Sequence, residues 1–183
     1  MDKPVTLRLF FGLELPESVR QRLLSVQRPI VGARWQSADQ LHLTVAFLGS
    51  VEAQLLPDVR EAARNLPVKP FNLTVSGIGC FGDPDHPKNL WADVQPVEEL
   101  TELHDVLNQR LAACGLGQEK RTFRPHITLS RFRKESGSVR ELLREPREAH
   151  AGTFLVDRIT LFQSIQGSRG STYRALAHFP HSM

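Results

Sequence analysis

The sequence predicts an α+β protein of two pseudo-symmetric lobes, with two antiparallel sheets facing a central groove and helices packed outside. Three observations predict it. Strand-like and helix-like patterns follow one another in the same order twice along the 183 residues. A His-x-Thr triplet inside an apolar strand pattern occurs at His42 and returns 84 positions later at His126, and Leu73-Thr74-Val75 is matched by Ile159-Thr160-Leu161 at an offset of 86. Hydrophobic residues at 40% and charged residues at 23% are sufficient for a packed core. Two copies of a unit cannot form a solenoid. They are expected to close on each other as one bilobal domain over 1–183, with a cleft between the lobes.

Taken in order, residues 5–11 alternate in polarity and are rich in Phe, as a strand requires. Pro16 and Glu17 mark the first turn of a helix running to about residue 27, before Pro29 stops it. Residues 41–48 form a strongly apolar strand closed by Gly49, and a helix follows over 52–65 with Pro57 near its start. A strand over 71–78, a loop of Gly and Pro over 79–88 and a strand over 89–94 complete the first set. In the second set, Leu100, Leu103, Val106, Leu107 and Leu111 recur at helical spacing over 98–113, with Gly115 as the stop. Residues 126–132 read as a strand and 138–144 as a short helix ended by Pro146. Strands over 154–164 and 172–179 flank a loop of Gly, Ser and Arg.

The composition excludes a disordered chain, a collagen-like fibre, a coiled-coil rod and a membrane span. The start, Met1-Asp2-Lys3-Pro4, lacks the apolar stretch of a secretory signal. Cys80 and Cys114 are the two cysteines and form no CxxC pair, so a reducing, cytoplasmic location is expected. A chain of this size can fold alone and leaves no amphipathic stripe for a partner, so a monomer is expected. A net charge of +3 permits a phosphate-bearing partner. Charge is concentrated locally: Lys120, Arg121, Arg124, Arg131, Arg133 and Lys134 form a basic run without an acidic residue.

The two motif strands read Leu41-His42-Leu43-Thr44-Val45 and Pro125-His126-Ile127-Thr128-Leu129. Residues two apart share a strand face, so His42 and Thr44 lie together on one surface, and so do His126 and Thr128. Each strand thus places an imidazole and a hydroxyl opposite its apolar side. Cleavage of a phosphodiester needs a base to deprotonate the nucleophile and an acid to protonate the leaving oxygen. Imidazole titrates near neutrality and serves either role, while hydroxyls and backbone N–H groups stabilise charge on the non-bridging oxygens. Spacing alone leaves open which histidine is acid and which is base. No HExxH or dense His/Asp cluster is present, so neither a metal nor another cofactor is expected.

These residues resemble the two-histidine phosphoesterase superfamily and, within it, the RNA 2′,3′-cyclic phosphodiesterases historically called 2′-5′ RNA ligases. The resemblance spans nearly the whole chain. It rests on Arg8-Leu9-Phe10-Phe11-Gly12-Leu13-Glu14-Leu15-Pro16, Trp35, the two motifs extended to Gly49 and Arg131, and Leu90-Trp91-Ala92. It implies hydrolysis of a terminal RNA 2′,3′-cyclic phosphate to a 2′-phosphomonoester, with reverse, ATP-independent joining as a related activity. It further implies His42 as proton donor, His126 as proton acceptor, and Thr44 and Thr128 as phosphate ligands. Arg131 matches a family arginine, although strict alternation puts it on the face opposite His126. Arg124 and the basic run are candidates for guiding RNA, and Phe47 and Phe132 for stacking a base. Trp35 and Trp91 are either core or stacking residues, and His86, His104, His150, His178 and His181 read as ordinary. Two other readings use the same residues: a phosphodiesterase acting on small cyclic nucleotides or ADP-ribose cyclic phosphate, and a nucleotide- or RNA-binding module without turnover.

Overall fold

The strands that carry the two motifs lie side by side at the centre of the molecule. In the computed structural model, which describes residues 3–116, 121–144 and 150–181, they are β3 (His42–Glu52) and β6 (Ile127–Phe132). They touch through one residue pair, Leu43 opposite Ile127, both fully buried. On one side of this join, β3 is followed by β1 (Thr6–Glu14), β8 (Arg158–Gly167) and β9 (Gly170–Pro180). On the other, β6 is followed by β5 (His86–Gln95), β4 (Phe71–Asp83) and β7 (His150–Val156), and the short β2 (Ala33–Trp35) adds to β6. The architecture is the expected α+β one. Its two antiparallel sheets are linked at their centre into one hydrogen-bonded path.

One lobe takes β1, β3, β8 and β9 from both ends of the chain and the other takes β4 to β7 from its middle, with β2 added, so the lobes are not the two halves of the sequence. Pseudo-symmetry matches β3 with β6, β1 with β5, β8 with β4 and β9 with β7, and the repeat offsets fall on two of these pairs. Helices α1 (Glu17–Leu24) and α3 (Val97–Ala113) each cross to the other lobe: α1 packs against β7 and α3 against β3. The short α2 (Leu56–Ala62) packs on α3, and α4 (Arg140–Arg144) on β4. Pro57 falls at the start of α2, where its missing N–H costs nothing, and residues 53–55 form a separate 3-10 turn. The apolar side of both sheets feeds a continuous core that includes Leu9, Phe11, Leu13, Leu43, Leu90, Leu100 and Ile127.

Two expectations change. The Gly- and Pro-rich stretch 79–88 is not a loop: β4 and β5 run through it as a hairpin down to a turn at 84–85, where Asp83 Oδ1 accepts the Asp85 N–H at 2.8 Å. The glycines serve the ladder there. Gly82 has φ +89°, and a Cβ at Gly79 would lie 2.3 Å from the Trp91 ring. The stretch 154–164 is two strands, because the chain leaves the edge of one lobe at Val156 and enters the other at Arg158. Trp35 lies in β2, too short to show a period, and its indole N–H donates to the Arg28 carbonyl at 2.8 Å. Pro146 and Lys120 lie outside the described residues.

Candidate active site

His42 opens β3, and His126 immediately precedes β6. Each imidazole is fixed in the same way. His42 Nδ1 donates to the Gln40 carbonyl at 2.7 Å, and His126 Nδ1 donates to the Arg124 carbonyl at 2.6 Å. A carbonyl only accepts, so both Nδ1 atoms carry hydrogen and both Nε2 atoms are left for proton exchange. His42 Nε2 lies 3.0 Å from Thr44 Oγ1.

Aromatic rings wall each histidine. Phe10 lies 4.9 Å and Tyr173 4.7 Å from the His42 ring, with Phe162 at 6.1 Å. Phe81 lies 5.2 Å and Trp91 6.2 Å from the His126 ring. Phe10 on β1 and Trp91 on β5 occupy matching strands, as do Phe162 on β8 and Phe81 on β4, so the surroundings are duplicated along with the motifs. Phe10 and Trp91 fall in stretches that carry the family resemblance, but no spacing marks any of these rings as a neighbour of a histidine, because each comes from another strand.

A bulge in each motif strand sets the facing of the residues beyond the threonine. Phe11 faces Ala46 and Gly12 faces Thr44, which leaves Val45 unmatched; likewise Leu90 faces Ser130 and Trp91 faces Thr128, which leaves Leu129 unmatched. Val45 and Ala46 are therefore both buried, as are Leu129 and Ser130. The extra residue reverses the alternation beyond it. Arg131 thus returns to the face of His126 and Thr128, contrary to strict alternation, and Phe47 to that of His42 and Thr44. Phe132 falls on the opposite side and packs against the core, so the structure does not bring this candidate to the site. The bulge in β3 is tied from behind by His104, a buried residue read from sequence as ordinary. Its Nδ1 donates to the Val45 carbonyl at 2.7 Å, its Nε2 accepts from Asn108 at 2.9 Å, and its ring stacks on Phe123 at 4.2 Å.

Two cavities flank the motif pair. One, of about 390 Å³, is lined by Thr44, Phe47, Phe81, Arg124 and His126, among others. It thus combines groups from both lobes. The other, of about 460 Å³, is lined by Gln40, Tyr173 and Arg131, among others, on the His42 side. A larger cavity of about 670 Å³, between the β4–β5 hairpin and the start of α3, contains neither motif. Among the described residues, no three His, Cys, Asp or Glu side chains converge as a metal site requires. Among them too, no helix is long and apolar enough to cross a membrane.

Burial pushes His42 below the ordinary imidazole value of 6.5, and the charges of Arg131 and His126 push the same way, against the hydrogen bond to Gln40. Two results are expected. In an NMR titration of the free protein, the His42 ring titrates below pH 6.5, and Arg131→Gln moves its midpoint up. The folded chain also resists a proton that the unfolded chain accepts. The corresponding stability is fully present above pH 6.5 and is lost as pH falls through the folded-state value. His181, pushed down mainly by burial, acts in the same direction. An Arg131→Gln variant with an unchanged His42 midpoint would separate that guanidinium from the site.

The family model of the 2′-5′ RNA ligase superfamily matches residues 15–167. An RNA 2′,3′-cyclic phosphodiesterase of Escherichia coli (strain K12) is 31% identical over 169 residues, 90% of each chain. One of Archaeoglobus fulgidus is 27% identical over 176 residues, 94% of this chain and 99% of that one. Among solved structures, one described as a phosphoesterase superposes with a TM-score of 0.82 at 28% identity, over 99% of this chain and all of the other. E. coli LigT in complex with 3′-AMP gives 0.79 at 26% identity, over 98% of this chain and all of that one.

Proposed function

This chain belongs to the 2′-5′ RNA ligase superfamily, and on that premise we propose that it is one bilobal enzyme that hydrolyses RNA 2′,3′-cyclic phosphate ends to 2′-phosphomonoesters. The observation that carries this reading is the duplicated imidazole. Two histidines from two lobes are each locked by a backbone carbonyl into the tautomer that presents Nε2, and His126 shares a cavity with Thr44 of the other motif.

In the reaction, His126 Nε2 takes a proton from water as the water oxygen bonds to phosphorus. The bond from phosphorus to the 3′-oxygen breaks, and His42 Nε2 delivers its proton to that oxygen. The products are a 2′-phosphomonoester and a 3′-hydroxyl. This assignment of donor and acceptor follows the family resemblance of the two motifs. Thr44 and Thr128 donate hydrogen bonds to the non-bridging oxygens, and Arg131 adds positive charge as negative charge grows there. His42 must hold a proton to serve as the acid. Burial and Arg131 oppose this in the free protein, whereas the anionic diester of a bound substrate favours it. The two imidazoles supply both proton transfers, so the reading needs no metal ion. Running the same steps forward with a 5′-hydroxyl in place of water joins the ends: His126 takes the hydroxyl proton as its oxygen bonds to phosphorus, and the 3′-oxygen leaves with the proton from His42, giving ATP-independent 2′-5′ joining.

The experiment is incubation of the protein with an oligoribonucleotide ending in a 2′,3′-cyclic phosphate, with EDTA present, and separation of 2′- from 3′-phosphate products. The expected product is the 2′-phosphate alone. A 3′-phosphate product, or activity that disappears with the chelator, would contradict the mechanism.

A further inference from the structure

We propose that the cavity on the His42 side binds backbone phosphates of the RNA strand that leads to the cyclic end, held by Arg34 and Arg169. The inference rests on the RNA-end reading above and adds a second contact region to it.

The first observation is a repulsion built into the ladder. Arg34 on β2 stands directly opposite Arg131 on β6. Like charges at directly opposed positions destabilise a sheet. Here the pair lines the same cavity as a third guanidinium, that of Arg169. Arg169 comes from the other lobe, at the two-residue turn where Gly167 pairs with Gly170 between β8 and β9. Among the described residues that line this cavity, none is acidic. Three guanidinium groups gathered from two lobes without a carboxylate suit a ligand carrying more than one negative charge, and their planar forks match phosphate oxygens.

The second observation is the mechanical link from this cavity to His42. The Gln40 side chain donates to the Ser171 carbonyl at 2.8 Å, just beyond the β8–β9 turn, and Gln166 donates to Ser171 Oγ at 3.0 Å. The same Gln40 offers its own carbonyl to His42 Nδ1. The turn that carries Arg169 and the ring that faces the scissile bond are therefore secured by one residue. The cavity on the His126 side carries the rings of Phe47, Phe81 and Phe123 beside Arg121 and Arg124, a surface for a flat ring next to cationic groups.

The test uses the full chain, a 2′,3′-cyclic mononucleotide, and a trinucleotide ending in a 2′,3′-cyclic phosphate, with the double variant Arg34→Gln/Arg169→Gln. The wild type is expected to prefer the trinucleotide in kcat/KM. In the double variant that preference falls about tenfold, through KM, while mononucleotide turnover is unchanged. The slope of log KM against log salt concentration becomes shallower by about 1.4, or about 0.7 for each of the two phosphate contacts removed. Arg34→Gln alone raises Tm, because it relieves the repulsion with Arg131. A wild type without preference for the trinucleotide, or a double variant that keeps it, overturns the inference. Calorimetric binding of a trinucleotide ending in a 2′-phosphate keeps the two readings apart. Binding about tenfold weaker in the double variant supports the phosphate track even where turnover fails, and unchanged binding overturns it even where turnover succeeds.

Discussion

His42→Ala and His126→Ala are each expected to lower kcat on a 2′,3′-cyclic phosphate end by about 10²–10⁴-fold, with thermal unfolding little changed. Each substitution removes one of two proton-transfer groups, and no neighbour can take its place. The side-chain hydroxyl within hydrogen-bond distance of His42 Nε2 is that of Thr44, at 3.0 Å, with the Tyr173 ring also nearby, and neither an aliphatic hydroxyl nor a phenol ordinarily titrates near neutrality. The fold should tolerate the loss because both rings sit on the groove side of their strands, away from the side that carries Leu43 and Ile127. The wild-type rate should trace a bell against pH, and each variant should lose one limb of it. The double variant should be little slower than either single one, because the two groups act in one step. If both single variants retained most of the wild-type rate, paired imidazole catalysis would be wrong, whatever the family.

Leu43→Ala is expected to cost about 2–5 kcal/mol of folding stability, and Ile127→Ala a similar amount. These two residues form the single pair through which β3 meets β6, and neither has any exposed surface. Each also lies between the histidine and the threonine of its own motif. A cavity at this join should therefore loosen the positions of both catalytic strands as well as weaken the core. The informative comparison is Leu111→Ala, equally buried but on α3. At a temperature where all variants remain folded, Leu111→Ala should keep kcat, while Leu43→Ala should reduce it. Denaturant unfolding measures the first quantity and initial rates the second. Equal kcat in the two variants would mean that the join carries stability alone.

Much of this was legible in the chain. The motif pair, its offset and the apolar residues alternating with it indicated duplicated strands with His and Thr on a shared face. Arg131 was legible as a candidate through family resemblance but not through its spacing, because alternation assumes an unbroken ladder. A bulge at Leu129 supplies the missing half-turn and sends Phe132 to the core instead. The glycines of 79–88 read as loop residues for a similar reason. Their role is to let the Trp91 ring lie against Gly79 and to accommodate an irregular ladder, and both depend on the strand opposite.

By itself, then, the sequence determined the α+β class, the internal repeat, the four motif residues and the family, all through signals carried within a short stretch or at a constant offset. Tertiary structure alone decided which strands form each lobe, which rings wall each imidazole, and that Arg34 and Arg169 meet Arg131 in one cavity. The physical reason is that pairing between distant strands sets register, and register sets which face a side chain occupies. Residues at 34, 131 and 169 share no period, and only the closing of the sheets around Leu43 and Ile127 brings their charges together.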